Sequence, residues 1–334
     1  MEAHIKKLLT NDIFAKCVET FGLKEDDVTK IGGFESFIYE YSRKYQNYIL
    51  RITHQSHRTM SMMDAEVHFV NYLAAHGAHV CRPVPSVEGK WIECVDVGDS
   101  YFLVSSFEKA KGGHVKNEDL NPEIITEWGR VIGHFHALSI NYEPQKGENK
   151  RHAWHDGALL TQAKDYLPHE ERFIHEKMLN QMEQLYKLPK NQHTYGLIHA
   201  DIHRGNFFVN NGKITVFDFD DCVYHWFVQD IAIALFYYKL HLKEEDQSEA
   251  RAVQFLDLLM KGYTQENALD RFWLKQIPLF LKLREIELFI AIRRSFDKDN
   301  LSGWIERFVD KSMYTIEHDI PVLSEEVFHS ISSF

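Results

Sequence analysis

Residues 197–221 read Leu197-Ile-His-Ala-Asp-Ile-His-Arg-Gly-Asn-Phe-Phe-Val-Asn-Asn-Gly-Lys-Ile-Thr-Val-Phe-Asp-Phe-Asp-Asp221. Two short strands, Phe207 to Asn210 and Lys213 to Phe217, flank Asn211-Gly212, the dipeptide that most favours a two-residue hairpin turn. Folding there puts Asn206 opposite Phe217, one residue short of Asp218. An ideal pleat sends Asn206 and Asp218 to opposite faces, so their convergence requires twist or a bulge at the open end. On that reading Asp201, Asn206 and Asp218 gather three oxygen-bearing side chains at one end of a small hairpin. Hard oxygen donors on rigid backbone suit Mg²⁺, which takes one or two protein ligands together with phosphate oxygens and water.

His199-x-Asp201 followed by Asn206 is also the spacing of a kinase catalytic loop, in which the Asp receives the acceptor's hydroxyl proton. The Asn and a later Asp hold the metal ions there. The fuller string Ile-His-Ala-Asp-Ile-His-Arg-Gly-Asn-Phe-Phe-Val, then Val-Phe-Asp-Phe-Asp-Asp and Gln229-Asp230-Ile-Ala, resembles the aminoglycoside phosphotransferase and choline kinase-like superfamily. The resemblance continues upstream. Ile31-Gly-Gly-Phe-Glu-Ser is similar to the family's phosphate-covering loop, which implies nucleotide contacts at Gly33 and Ser36. Tyr48-Ile-Leu-Arg-Ile resembles the phosphate-binding strand, and Glu66 stands where the family's helix glutamate pairs with that strand. Tyr101 to Phe107 resembles the strand that enters the adenine hinge, which implies main-chain contacts at Ser105 and Phe107. Trp128-Gly-Arg-Val-Ile-Gly-His-Phe-His-Ala-Leu is similar to the family's helix ending in Leu-His. The match spans residue 31 to about 235.

The resemblance implies Asp201 as the base or hydroxyl-orienting residue, and Asn206 and Asp218 as Mg²⁺ ligands. Arg51 would hold the nucleotide phosphates, Glu66 would orient it, and Asp230 would brace the catalytic loop through backbone hydrogen bonds. The chain departs from the pattern in places. Arg51 replaces the usual lysine, keeping the charge while offering a planar fork in place of a point ammonium. The loop carries Gly32-Gly33 without a full G-x-G-x-x-G. Ala200 and Arg204 stand for the commoner glycine and proline. Asp218-Phe-Asp replaces D-F-G and adds Asp220 and Asp221, either as further carboxylates for a metal or an amine, or as solvated turn residues.

The rest of the chain agrees with a soluble enzyme. With 334 residues it exceeds one minimal core, and about 100–200 residues per domain points to two domains or one two-lobed unit. At 44% hydrophobic and 26% charged it has the composition of a packed globule and not of a disordered chain. A net charge of −11 argues against nucleic acid, whose binding energy comes largely from Lys and Arg on phosphates, and permits a cationic partner. No apolar run approaches the roughly 20 residues of a membrane helix. The N-terminus interrupts its apolar residues with charges and so lacks a secretory h-region. Cys17, Cys81, Cys94 and Cys222 show neither CxxC nor zinc spacing, which fits small buried thiols in a reduced cytoplasmic protein.

Aromatic and β-branched content predicts strands at 39–43 and 47–53, then at 90–95 and 100–107 around Gly98-Asp99. Ser61 to His76 reads as a helix with a Ser61–Asp64 capping box, stopped by Gly77. Asn121-Pro122 opens a long helix as N-cap and first-turn proline. His199, Asp201 and His203 can be drawn as a metallohydrolase triad, but that leaves Asn206 and Asp218 without a purpose. His199 is read as packing the loop, and His134 and His136 as satisfied helix positions. Trp226, Phe227 and Phe236 to Tyr238 are read as core. Leu279 to Ile292, with Lys282, Arg284, Glu285 and Glu287 interleaved, is read as a buried helix with a polar edge facing the acceptor.

These readings predict an α+β, protein-kinase-like two-lobed fold, with an N-lobe over 1–107 and a mainly helical C-lobe over 108–334. The expected reaction is ATP- and Mg²⁺-dependent transfer of phosphate to a hydroxyl of a small amino- or polyhydroxy-compound. The alternatives are a stress-response protein Ser/Thr kinase of the same superfamily and a catalytically silent nucleotide-binding module.

Overall fold

A computed structural model of the chain describes residues 3–33, 35–144, 150–242 and 248–329. It divides into two compact units that interleave along the sequence. Unit 1 comprises Met1–Gly113, Tyr142–Arg151 and Thr215–Asp220, and unit 2 comprises His114–Asn141, His152–Ile214 and Asp221–Phe334. A single cut after residue 107 therefore misses two later segments of unit 1. One of them is held by β-bridging: Val216 N–H donates to His79 O at 2.9 Å, and Cys81 N–H donates to Val216 O at 3.0 Å.

Unit 1 is built on an antiparallel six-stranded sheet. Its strands are β1 (Val28–Gly32), β2 (Phe37–Arg43), β3 (Gln46–His54), β4 (Pro83–Val84), β5 (Ile92–Val97) and β6 (Ser100–Glu108). The order is β1-β2-β3-β6-β4, with β5 also paired to β6. The period of two sends Phe37, Tyr39 and Tyr41 of β2 to one buried face, where they meet Leu50, Ile52, Phe102 and Val104. Helices α1 (Ala3–Leu8) and α2 (Asn11–Glu19) add Ile5, Cys17 and Val18 to that core. Helix α3 (Met60–Ala75) packs Met63 and Val67 against Ile92 and Leu103. Its N-cap is Thr59, whose hydroxyl accepts from Met62 N–H at 3.3 Å, so Ser61 lies inside the helix and not at its cap.

Unit 2 is mainly helical. Asn121 caps α4 (Pro122–Ser139), its side chain accepting from Ile124 N–H at 2.9 Å, with Pro122 in the first turn. Short helices α5 (Ala158–Thr161) and α6 (Ala163–Tyr166) lead to α7 (Arg172–Tyr186). Strands β7 (Tyr195–Ile198) and β10 (Val223–Trp226) pair antiparallel. Between them β8 (Phe207–Asn210) and β9 (Lys213–Val216) form the expected hairpin, with Asn211 at φ 50° and Gly212 at φ 76°. The unit division falls inside β9. Helix α8 (Val228–Leu240) is buried along every face from Val228 to Tyr237, which makes it the core helix. Helices α9 (Glu249–Tyr263), α10 (Arg271–Leu274), α11 (Ile277–Ser295), α12 (Gly303–Glu317) and α13 (Glu325–His329) complete the unit. None of the described helices is long and apolar enough to cross a membrane.

Helices α4 and α9 approach backbone to backbone at glycines. A Cβ on Gly129 would lie 1.7 Å from Leu259 O, and one on Gly262 would lie 1.8 Å from Thr126 O. No side chain can give way there, so the helices themselves would have to part. Gly129→Ala is accordingly expected to cost at least about 1–3 kcal/mol, read from the urea midpoint at unchanged m-value; an unmoved midpoint would show that the contact is slack.

Candidate active site

In unit 2 the loop that carries Asp201 is fixed by its backbone. Asp230, fully buried near the start of α8, accepts from Ala200 N–H at 2.8 Å and His199 N–H at 3.2 Å. The same carboxylate lies 3.2 Å from His136 Nε2, and His136 Nδ1 lies 3.0 Å from Tyr263 OH. His199 is buried, and its Nδ1 accepts from Asp201 N–H at 3.2 Å. Histidines 136 and 199 are thus structural, as is His134, whose Nδ1 lies 3.1 Å from Glu266. Ala200 is held at φ 64°, a conformation in which its Cβ is strained.

This anchoring presents Asp201 to a ring of donors. Asn206 Nδ2 donates to both Asp201 Oδ2 and Asp201 O at 2.9 Å, and His203 Nε2 lies 3.3 Å from Oδ2. Arg284 of α11 donates from Nη2 to Oδ1 at 2.5 Å. Burial raises the Asp201 carboxyl, but His203 and Arg284 outweigh it and hold the group down at about 2. Asp201 is therefore an ionised hydrogen-bond acceptor at neutral pH. Because the Asn206 amide nitrogen is committed to Asp201, its oxygen is the atom left to offer a cation, and an amide oxygen is the hard donor that Mg²⁺ selects.

In unit 1 Arg51 and Glu66 form the pair that the family resemblance implies. The guanidinium meets the carboxylate bidentately, at 2.9 Å (Nη1–Oε1) and 2.6 Å (Nη2–Oε2), with both side chains buried. Arg51 Nη1 also lies 3.9 Å from Asp218 Oδ1 and 3.6 Å from Asp220 Oδ1. Asp218, at φ 64°, keeps its side chain about half exposed (53%), so its carboxylate retains room for a cation. Asp220 is no solvated turn residue. Its carboxylate lies 3.0 Å from Arg58 Nη2, and its carbonyl accepts from Arg151 at 2.6 Å and Arg58 at 3.2 Å. Burial raises this carboxyl too, but Arg58, Arg51 and Arg151 hold it below the usual carboxylate range. Asp221 is exposed.

The remaining expected nucleotide contacts divide. Gly33 sits at φ 123°, and a Cβ there would lie 1.8 Å from Ser36 O, so the loop closes tightly only on glycine. The neighbouring Phe34 lies outside the described residues. Ser36 does not offer its hydroxyl outward. It is buried, with Oγ 2.7 Å from Thr53 Oγ1. Ser105 and Phe107 need a correction as main-chain adenine contacts. Ser105 stands in register with Arg51 and Ile92, and Phe107 with Ile49 and Pro83, so both backbones are taken up within the sheet. Phe107 instead turns its ring to the Arg51 guanidinium, 5.0 Å from centroid to Cζ.

The model of the phosphotransferase enzyme family matches residues 28–269, well over half of the chain. The chain belongs to that family. It is a phosphotransferase with an alcohol group as acceptor. It is 35% identical over 321 residues to the amicoumacin kinase of Bacillus subtilis strain 168, a match covering 95% of each chain. The solved structure of amicoumacin kinase hAmiN in complex with AMP-PNP, Ca²⁺ and Ami is 31% identical and superposes with a TM-score of 0.92, over 99% of this chain and 100% of that one. Choline kinase LicA from Streptococcus pneumoniae shares the fold, at 11% identity and TM-score 0.60 over 95% and 100% of the two chains. The phosphotransferase thus has the kinase-like α+β fold that the catalytic-loop spacing suggested.

The sequence reading missed Arg58 and Arg284 as groups that touch the site's carboxylates, Arg151 as a donor to the Asp220 carbonyl, and Tyr237 as a partner of Arg284. Arg284 lies 83 residues from Asp201, and no local pattern announces such a pairing. Replacing strained Ala200 by glycine is expected to raise the stability of the phosphotransferase by about 1 kcal/mol, seen as a higher thermal midpoint. A lower midpoint would mean that the strain relieved is smaller than the entropy that glycine adds to the unfolded chain.

Proposed function

We propose that this phosphotransferase moves the γ-phosphoryl group of ATP, with Mg²⁺, to a hydroxyl of amicoumacin or a closely similar amino- and hydroxyl-bearing small molecule. The observation that carries the reading is the ionised Asp201 carboxylate, hydrogen-bonded at both oxygens beside Asn206, in a chain 35% identical to an amicoumacin kinase over 95% of its length. Asp201 accepts the hydrogen bond of the acceptor's O–H and orients the oxygen lone pair towards phosphorus. A carboxylate that His203 and Arg284 hold below its usual range is a weak base, so in a loose transition state its positioning of the hydroxyl outweighs proton abstraction. Arg51, clamped by Glu66, presents positive charge to the nucleotide phosphates. Asn206 and Asp218 are the oxygen ligands assigned to the metal, which neutralises charge on the triphosphate when bound.

Incubation with MgATP and amicoumacin should yield a singly phosphorylated product by mass spectrometry. Phosphate appearing on protein serine, with none on amicoumacin, would replace this reading by the protein-kinase alternative. Nucleotide bound and never turned over would replace it by a silent binding module.

Two substitutions test the roles. Asp201→Asn should lower kcat by about 10²–10⁴-fold while nucleotide affinity stays within about twofold, because the change spares the phosphate contacts. Equal turnover in wild type and variant would remove Asp201 from the mechanism. Asp218→Ala should abolish metal-dependent nucleotide binding in calorimetry, and wild-type affinity for MgATP would refute its assignment as a ligand.

A further inference from the structure

The Asp201 carboxylate is gripped at both oxygens, and the two grips differ in kind. Oδ2 takes Asn206 and His203, which belong to the same loop and move with it. Oδ1 takes a single donor from elsewhere in unit 2, Arg284 Nη2 on α11. That guanidinium is itself immobilised. The same Nη2 donates to Tyr237 OH at 2.8 Å, the Tyr237 ring lies 5.2 Å from Cζ, and Nη1 stands 3.6 Å from Glu287 Oε2, one turn further along α11. The side chains of Arg284, Asp201 and Glu287 are 14–18% exposed, so water does little to weaken these contacts.

A carboxylate free at one oxygen can pivot about its Cβ–Cγ bond. One whose two oxygens meet donors on separate elements cannot turn without breaking a short charge-assisted hydrogen bond. Arg284 also occupies one lone-pair direction of Oδ1 and so limits the directions from which an alcohol can donate. We infer that Arg284 is a positioning residue that sets the approach of the acceptor hydroxyl by pinning Asp201 Oδ1 from α11. The inference rests on the reading of Asp201 as the alcohol-orienting group. Arginine suits the task because one planar fork reaches Asp201 and Tyr237 on one side and faces Glu287 on the other, which a lysine ammonium cannot do.

A double-mutant cycle on the full chain tests this, with turnover of MgATP measured on amicoumacin and, in parallel, on water as acceptor. Arg284→Met is expected to lower kcat about 100-fold and Arg284→Lys about tenfold, with KM for MgATP within about twofold in both. In an Asp201→Asn background, Arg284→Met should cost less than about threefold more, since a residue that acts through Asp201 has nothing left to position. A purely structural arginine would cost the same factor in both backgrounds, and that outcome overturns the inference. Arg284→Lys serves as the folding-competent variant should the methionine substitution lower the thermal midpoint sharply. A crystal structure of either variant gives an answer independent of turnover. The Asp201 carboxylate should rotate away from its wild-type plane, and an unchanged orientation also overturns the inference. Should Asp201→Asn itself leave turnover intact, the reading of Asp201 fails by that result alone, and the carboxylate orientation still decides whether Arg284 pins it.

Discussion

The loop that carries Asp201 depends on one buried carboxylate. Asp230 has no exposure, and it accepts two consecutive backbone N–H groups, from His199 and Ala200, while facing the His136 ring. A carboxylate in the interior is costly unless its lone pairs are met, and here the loop's own backbone meets them. The arrangement fixes the loop in a shape that Ala200 would not choose alone, at φ 64°. That turn in the backbone then aims Asp201 at Asn206, His203 and Arg284. Strain at one residue is offset by hydrogen bonds to another, which is a common arrangement where a side chain must be held in a working direction.

Arginine does much of the electrostatic work in both units. In unit 1 Arg51 joins Glu66 bidentately and faces Asp218 and Asp220, while Arg58 and Arg151 close around Asp220 and Arg58 reaches Glu35 at 3.2 Å. In unit 2 Arg284 serves Asp201, Tyr237 and Glu287, and burial pushes the Glu287 carboxyl up to about 7 against the pull of that same arginine. Each guanidinium spreads one charge over several fixed donors, so a single side chain can satisfy carboxylates arriving from different directions. Arg51 in the place of a lysine fits this pattern. Its fork holds Glu66 with both terminal nitrogens while Nη1 still lies near the two aspartates.

Much of this was legible in the sequence where the physics is local. Asn211-Gly212 announced its turn because few other residues tolerate positive φ at both central positions. Asn121-Pro122 announced α4, and the spacing from His199 to Asn206 announced the loop. The Arg51–Glu66 pair came from resemblance alone and proved to be a real contact. Illegible were the facts that depend on which strand edges are occupied. Ser105 and Phe107 look available in the sequence, but β6 is flanked by β3 and by β4 or β5, whose ladders absorb both backbones. The α3 cap moved from Ser61 to Thr59 because two neighbouring hydroxyls compete for one helix start, and extended backbone at Thr59 decides between them.

What the sequence determined by itself is the chemistry at hand: oxygen-bearing side chains at fixed spacing around a hairpin, a cation on a strand, and helices with apolar stripes. Those follow from backbone periodicity and turn preference, which act over a few residues. What only the tertiary structure decided is which charges meet. Arg284 reaches Asp201 across 83 residues, Arg130 reaches Glu266 across 136, and Arg58 reaches Asp220 across 162. Partnerships of that length are set by the packing of whole elements, for α4 and α9 down to glycines that let two helices touch, and packing leaves no local mark on the chain.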